Sequence, residues 1–124
     1  LEGIVLDRME LLCEGAFVYS FLGKDDFDAC GAIKADAEAL IDTLRNIRGV
    51  RVALILKQTV AGEVRGSLRA KDEDTDVAQV ARYFEGGGHK AAAGFTYKGS
   101  LKAALDDVPA EVLKQCFSLS GGDC

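Results

Sequence analysis

The stretch that most constrains the fold is an apolar segment near the middle of the chain. Val50–Leu56 contains a single charged residue, Arg51, and such a run is typical of a strand that is buried on both faces of a sheet. A polar turn at Thr59–Gly62 then leads into Glu63–Lys71, where apolar and polar residues alternate as in a strand with one buried face. The sequence therefore predicts a central strand followed by a hairpin partner.

The polar side of the second strand is rich in cations. Its members are Glu63, Arg65, Ser67, Arg69 and Lys71. The arginine guanidinium presents a planar fork of donors that suits phosphate oxygens, and a serine hydroxyl adds a further donor. This face is a candidate anion-binding surface, and the alternative is that it is the solvated side of a hairpin.

Amphipathic helices flank this hairpin. Apolar residues at spacings of three and four predict a helix from about Ile33 to Arg48, ended by Gly49. A second apolar stripe ends at Phe84, and side chains within Asp72–Thr75 are predicted to cap its start.

The ends of the chain are predicted by weaker patterns. Two antiparallel strands are expected to join near Cys13–Gly15, and Asp25–Cys30 is expected to form a helical turn or two. Ser100 is predicted to cap one helix and Pro109 to start a separate last helix. The fold class is thus α/β (α+β), with residues 1–124 forming a single domain around a mixed sheet of about five strands flanked by helices.

The second informative stretch is Gly86-Gly87-Gly88-His89-Lys90-Ala91-Ala92-Ala93-Gly94. Three glycines let a ligand approach main-chain N–H groups closely, and the Lys-Ala-Ala-Ala run predicts one helical turn that Gly94 ends. The string fits neither the nucleotide P-loop nor the dinucleotide fingerprint. The alternatives at this point are an anion cradle and a flexible loop.

Taken whole, the nine residues resemble the GGGHxxAAG signature of the DHH-associated C-terminal domain. This domain occurs in DHH-family phosphoesterases, which include RecJ-type exonucleases, oligoribonucleases that degrade nano-RNA, and 3′-phosphoadenosine-5′-phosphate phosphatases. The resemblance extends to Val64–Arg69, which is similar to the strand that precedes the loop in that family. Two positions depart from the family pattern: Ala70 replaces a common serine, and Lys57 replaces a frequent glutamate.

The resemblance implies roles for particular residues. Ser67 and Arg69 are expected to bind the phosphate or sugar of a nucleotide, Gly86, Gly87 and Gly88 to cradle phosphate, and His89 to contact the phosphate that is cleaved. Arg65 and Lys71 are further candidates from their position on the same strand face. No residue is expected to be catalytic within this chain, because the family's metals, usually a pair of manganese ions, are held by a separate N-terminal Asp-His-His domain.

The amino-acid composition excludes some classes of binding partner. A net charge of −5 argues against a broad basic surface that coats nucleic acid. No apolar run is long enough to span a membrane, and the chain begins at Leu1, which suggests a fragment of a longer protein. The four cysteines show no paired metal spacing and are interpreted as reduced thiols of a cytoplasmic protein, with a Cys13 to Cys30 contact left open.

The predicted function is therefore binding of a nucleotide or short single-stranded oligonucleotide for a manganese-dependent phosphoesterase (hydrolase), with no cofactor in this chain and no membrane partner. The N-terminal Asp-His-His domain of the same protein is the expected partner. The alternative is a nucleic-acid-binding module of a non-hydrolytic or tRNA-editing protein. A domain whose site has decayed is a third possibility.

Overall fold

A computed structural model describes residues 2–26, 34–60 and 62–117. Within them lie the helices α1 (Glu2–Arg8), α2 (Lys34–Arg45), α3 (Val77–Tyr83) and α4 (Leu101–Cys116). The strands are β1 (Glu10–Leu12), β2 (Phe17–Leu22), β3 (Val52–Val60), β4 (Glu63–Ala70), β5 (Gly87–His89) and β6 (Ala92–Lys98).

All of these strands belong to one mixed sheet with the order β1-β2-β3-β4-β6-β5. β2 and β3 are parallel, and the other neighbouring pairs are antiparallel. The predicted mixed sheet of about five strands is confirmed, with six strands among the described residues. β3 lies third in the order, and its Val52–Leu56 segment is buried throughout, as the apolar run predicted.

The sheet separates two apolar cores. One contains Val64 and Leu68 of β4 with buried residues of α3 and α4. The other contains Ala53 and Ile55 of β3 with buried residues of α1 and α2. Alternation along β4 therefore places Val64 and Leu68 beneath α3 and α4, and places Arg65, Ser67 and Arg69 on the side of the sheet that α2 partly covers.

Several predicted boundaries are corrected. The helix predicted over Ile33–Arg48 ends at Arg45, and the chain turns through Gly49, whose φ is +88°. Asp76 caps α3 by accepting from the Ala78 N–H at 2.9 Å, so the cap lies just beyond the predicted Asp72–Thr75 segment. The segment before β1, which the sequence left unassigned, forms α1.

The prediction of two separate C-terminal helices is wrong. Ser100 caps the helix as predicted, by accepting from the Ala103 N–H at 3.0 Å, but α4 continues through Pro109 to Cys116. Proline removes one backbone donor from a helix interior. Pro109 is itself buried, and packing of its helix neighbours Val108 and Val112 in the core beneath the sheet offsets that loss.

The cysteines differ from one another. Cys13 is disulfide-bonded, so the interpretation of all four as reduced thiols is wrong at this position. Cys116 is a free thiol, and burial raises its pKa to about 11. Cys30 and Cys124 lie outside the described residues, as does most of the helical turn predicted over Asp25–Cys30.

No helix in the part of the chain that the structure describes is both long and apolar enough to cross a membrane.

Candidate functional site

The candidate site lies where β4, β6 and β5 run side by side. Two rows of residues cross these strands on the face that carries the polar side of β4. The first row consists of Arg69 of β4, Ala92 of β6 and His89 of β5. The second row consists of Ser67, Gly94 and Gly87 on the same three strands. Because neighbouring strands lie about 4.8 Å apart, the backbones of Arg69 and His89 are separated by roughly 10 Å. The fold thus brings together two stretches that are far apart in the sequence.

Small residues occupy the middle of both rows. Ala92 and Gly94 lie on β6 between the polar residues of β4 and the β5 strand. A methyl group and a hydrogen leave space above the sheet between Arg69 and His89. The surface is therefore a shallow trough with polar sides, and sequence analysis did not identify Ala92 and Gly94 as its floor.

Arg69 is held in place on one side of this trough. Its Nη1 donates to the carbonyl of Leu68 at 3.0 Å, and its Nε lies 3.7 Å from Oδ1 of Asp42 on α2. The Arg69 side chain is 16% exposed, whereas Asp42 is 49% exposed. The guanidinium is thus fixed at the boundary between the part of the sheet that α2 covers and the open trough. Asp42 was not predicted to contribute, although it lies within the helix predicted over Ile33–Arg48.

His89 lies on the opposite side of the trough, at the end of an exposed strand. All three residues of β5 are exposed. Among residues 2–26, 34–60 and 62–117, the imidazole makes no hydrogen bond or ion pair. Both ring nitrogens are therefore available to a ligand.

The three glycines before His89 differ in what they contact. A Cβ at Gly86 would lie 2.5 Å from the Cβ of Phe95, and one at Gly88 would lie 2.5 Å from the Cα of Ala93. Gly88 also has a φ of +144°. A Cβ at Gly87 would meet nothing within 4 Å among the described residues. Gly86 and Gly88 are thus required for packing of β5 on β6, whereas Gly87 faces the trough without a steric reason to be glycine.

The helical turn predicted after His89 is wrong. Lys90 and Ala91 instead form the turn of a hairpin, and Ala92 begins β6. The carbonyl of Lys90 accepts from the Val77 N–H and that of Ala91 from the Ala70 N–H, each at 2.9 Å. The helical preference of a short alanine run is weak compared with these contacts and with strand pairing, because a single isolated helical turn is costly to nucleate.

An aromatic stack positions the start of this hairpin. Phe84, at the end of α3, stacks on Phe95 of β6 with ring centroids 4.9 Å apart. The Phe95 ring lies directly over Gly66, where a side chain would collide with it. These contacts lie on the covered face of the sheet and fix the place where β5 begins.

The two weaker candidates occupy different places. Arg65 is exposed on the trough face, and its Nη1 donates to Oγ1 of Thr96 at 3.4 Å. Lys71 lies beyond the end of β4 and donates through Nζ to the carbonyl of Ile47 at 3.1 Å. The structure therefore places Arg65 with Ser67 and Arg69, whereas Lys71 contacts the turn that follows α2.

The residues of this surface do not fit a manganese centre. Within the described parts of the chain, no three side chains of His, Cys, Asp or Glu lie close enough together to hold a metal ion. The donors that the trough does offer are a guanidinium, a hydroxyl, an imidazole and backbone N–H groups, which are suited to an anion.

A comparison with known protein families identifies the domain that contains these residues. The DHHA1 domain family matches residues 14–117. The chain belongs to this family. The resemblance inferred from Gly86–Gly94 is thereby confirmed, and the match includes every predicted site residue.

Solved structures show that the DHHA1 fold is shared more widely. This domain is similar to an exopolyphosphatase-related protein from Bacteroides fragilis, with a TM-score of 0.81 and 24% identity over 91% of this chain and 33% of that one. It is also similar to a pGpG-specific phosphodiesterase from Vibrio cholerae, with a TM-score of 0.66 and 14% identity over 94% of this chain and 38% of that one. The chain thus spans about a third of the length of these two proteins.

A third similar structure is a domain of comparable size. The C-Ala domain of alanyl-tRNA synthetase from Aquifex aeolicus has a TM-score of 0.57 and 17% identity, covering 80% of this chain and 92% of that one. At these identities the three comparisons establish the fold that the DHHA1 domain shares with them.

Proposed function

We propose that this DHHA1 domain is the substrate-binding part of a manganese-dependent phosphoesterase that hydrolyses short oligonucleotides or nucleoside bisphosphates. The observation that carries the proposal is the alignment of Arg69 with His89, and of Ser67 with Gly87, across the open face of β4, β6 and β5. Each of these four residues offers a different means of contact with a phosphate.

The chemistry of the trough supports a phosphate ligand. Arg69 supplies a fixed cation, and a guanidinium is suited in shape and charge to phosphate oxygens. Ser67 adds a hydroxyl donor in the neighbouring row, and Gly87 leaves room for the ligand to lie against the backbone. His89 can donate to the phosphate from the opposite side of the trough. The domain thus binds and orients the phosphate of its substrate.

Hydrolysis is assigned to a separate domain. In the proposed protein, an N-terminal Asp-His-His domain would hold the manganese ions, which would supply an activated water and stabilisation of negative charge. The DHHA1 trough presents the substrate to that centre. The part proposed for this chain in the reaction is to bind, orient and partly neutralise the phosphate.

The named relatives support this class of substrate. One similar structure is described as a pGpG-specific phosphodiesterase and another as exopolyphosphatase-related. The first name refers to hydrolysis of a phosphodiester, and each of the two proteins is at least about two and a half times as long as this chain. Their extra length leaves room for the proposed catalytic domain.

The proposal is tested by titrating the chain with a nucleoside 3′,5′-bisphosphate and with a short RNA while following side chains by NMR. Because His89 is the one histidine in the sequence, its imidazole gives a single set of signals. We expect both ligands to shift the signals of His89 and of the Arg69 guanidinium. Saturating ligand that leaves both unchanged contradicts the proposal.

A second measurement concerns catalysis. The chain alone, supplied with manganese, is expected to hydrolyse none of these ligands, because the metal site is assigned to another domain. Phosphodiesterase activity in highly purified chain contradicts this division of roles.

The alternative function is that of a nucleic-acid-binding module in a tRNA-editing protein. It is favoured by the similarity to the C-Ala domain, since that match covers nearly the whole of the second structure. Binding of intact tRNA that short oligonucleotides and nucleoside bisphosphates fail to displace supports this alternative. Displacement by the small ligands supports the phosphoesterase assignment.

A further inference from the structure

The cationic face of β4 extends beyond the two rows that form the trough. A third row crosses the same face, in which Arg65 of β4 is paired with Thr96 of β6. We infer that Arg65 and Thr96 form a second phosphate subsite, which binds a phosphate of the substrate other than the one between Arg69 and His89. This inference rests on the proposed function, and it adds that the preferred substrate is a chain with at least two separate phosphate groups.

The spacing along β4 separates the two subsites. Arg65 and Arg69 are four residues apart on one strand, and at about 3.3 Å per residue their backbones are roughly 13 Å apart. A single phosphate group is much smaller than this distance. If the two guanidinium groups act separately, they therefore contact different phosphates.

The side-chain contacts keep the two guanidinium groups apart. Arg69 is bound to the Leu68 carbonyl and lies beside Asp42 of α2. Arg65 extends across the sheet to the hydroxyl of Thr96, with Nη1 to Oγ1 at 3.4 Å. Arg69 thus contacts its own strand and α2, whereas Arg65 contacts β6. The two guanidinium groups therefore do not converge on one point.

The Arg65 subsite can accept an anion. Arg65 is exposed, and a guanidinium that gives one weak hydrogen bond to Thr96 retains further N–H donors. The Thr96 hydroxyl accepts from Arg65 and can donate its own proton to a phosphate oxygen. These donors allow the subsite to bind a negatively charged group.

A carboxylate limits the subsite at one end of β4. Glu63 is the next residue of β4 on the same face, and it is paired with Lys98 of β6. A carboxylate at this position disfavours a further phosphate, even though Lys98 partly compensates its charge. The cationic surface along β4 thus extends from Arg69 to Arg65, which fits a short chain of phosphates lying along the strand.

The test compares two probes that differ in the number of phosphates. Adenosine 5′-monophosphate carries one phosphate, and the dinucleotide pApA carries a terminal and a bridging phosphate. In Arg65→Gln we expect affinity for pApA to fall about tenfold, as for loss of one charge-assisted contact, and affinity for the mononucleotide to change less than about twofold. Thr96→Val is expected to weaken pApA binding by about threefold, because the subsite loses the hydroxyl beside Arg65.

The matched control is Arg82→Gln. Arg82 is an exposed arginine on α3, which packs on the opposite face of the sheet, so this variant removes the same charge without removing the subsite. Its affinity for both probes is expected to remain within about twofold of wild type, and Arg65→Lys is expected to restore part of the loss.

The outcomes distinguish the inference from the function on which it rests. If Arg65→Gln weakens both probes equally, or weakens neither, while wild type binds both and Arg69→Gln weakens both, the second subsite is wrong and the proposed function stands. If wild type binds neither probe, or if Arg69→Gln leaves both affinities unchanged, the proposed function fails, and the second subsite fails with it.

Discussion

The two faces of the sheet formed by β4, β6 and β5 use the same strands for different purposes. On the covered face, Val64, Leu68, Ala93 and Phe95 are buried beneath α3 and α4. On the open face, the corresponding residues are polar or very small. Strand alternation assigns packing to one face and leaves the other face available to a ligand. Substitutions on the covered face should thus change stability, and those on the open face should change binding.

The largest expected effect comes from two adjacent glycines that belong to different faces. Gly88→Ala introduces a methyl group against Ala93 at a residue with a φ of +144°, and we expect the free energy of unfolding to fall by about 3 kcal/mol. Gly87→Ala adds a methyl group in open space and should change it by less than about 1 kcal/mol. Urea unfolding of both variants measures the difference.

Binding should show the opposite order. Gly87→Ala is expected to weaken binding of adenosine 5′-monophosphate about tenfold, because the added methyl group occupies the space proposed for the phosphate. Equal destabilisation by the two substitutions, or full affinity in Gly87→Ala, breaks the distinction between the two faces.

The next effect concerns Arg69. Arg69→Gln removes the fixed cation of the trough, and we expect affinity for adenosine 5′-monophosphate to fall about 100-fold, equivalent to about 2.7 kcal/mol. In the proposed full-length enzyme, Arg69→Gln and His89→Ala should each lower the rate of hydrolysis by at least a similar factor. Calorimetric titration and initial-rate measurements test the two statements.

Asp42→Asn is the control for Arg69. It removes the carboxylate that lies 3.7 Å from the Arg69 Nε and retains the guanidinium. Because Asp42 is half-exposed, its contribution to stability should be below about 1 kcal/mol, and affinity should remain within about threefold of wild type. Wild-type turnover in both Arg69→Gln and His89→Ala contradicts a role for the open face in substrate binding.

The difference between the faces also explains what the sequence could predict. The apolar run of β3 and the alternation of β4 depend on residues close together in the chain, and both patterns identified a strand. The bounds differ, because β3 begins at Val52 and continues to Val60, into the predicted turn, and β4 ends at Ala70. The polar face of β4 could be derived in the same way. Such patterns show which side chains share a face, because the periodicity of a strand is local.

The features that were predicted wrongly or missed depend on contacts between distant segments of the chain. The turn after His89 was predicted as helical from the preference of alanine, but pairing of Ala92 and Ala93 with β4 decided the outcome. In the same way, packing against the sheet carried α4 through Pro109. The register between β6 and its neighbours could not be read from local patterns, so the role of Ala92 and Gly94 as the floor of the trough could not be derived.

A smaller effect is expected on the covered face at Tyr97. Tyr97 is paired with the buried Val64, and its hydroxyl donates to Asp107 of α4. Tyr97→Phe should lower the free energy of unfolding by about 1 kcal/mol at neutral pH, because a partly exposed hydrogen bond between strand and helix is lost. Affinity for phosphate ligands should not change.

The pH dependence of this contact has a defined sign. The hydrogen bond to Asp107 raises the pKa of Tyr97 from 10.0 to about 12. The stabilisation is therefore complete below pH 10 and is lost as the pH rises through about 12, where folded Tyr97 ionises. Urea unfolding of wild type and Tyr97→Phe between neutral pH and pH 11 should show the difference shrinking above pH 10. A difference that is constant across this range contradicts the contact.

The smallest effect is expected where α3 leads into the hairpin. Glu85 is exposed and has a φ of +65°, a conformation that costs about 1 kcal/mol for most residues and little for glycine. Glu85→Gly should raise the free energy of unfolding by about 0.5 kcal/mol, since the greater freedom of glycine in the unfolded chain offsets part of the gain. It should leave phosphate affinity unchanged, because Glu85 precedes β5 and lies outside the three rows of the open face. Urea unfolding and titration with adenosine 5′-monophosphate test both parts, and a change in affinity without a change in stability contradicts the assignment of Glu85 to the framework that supports the trough.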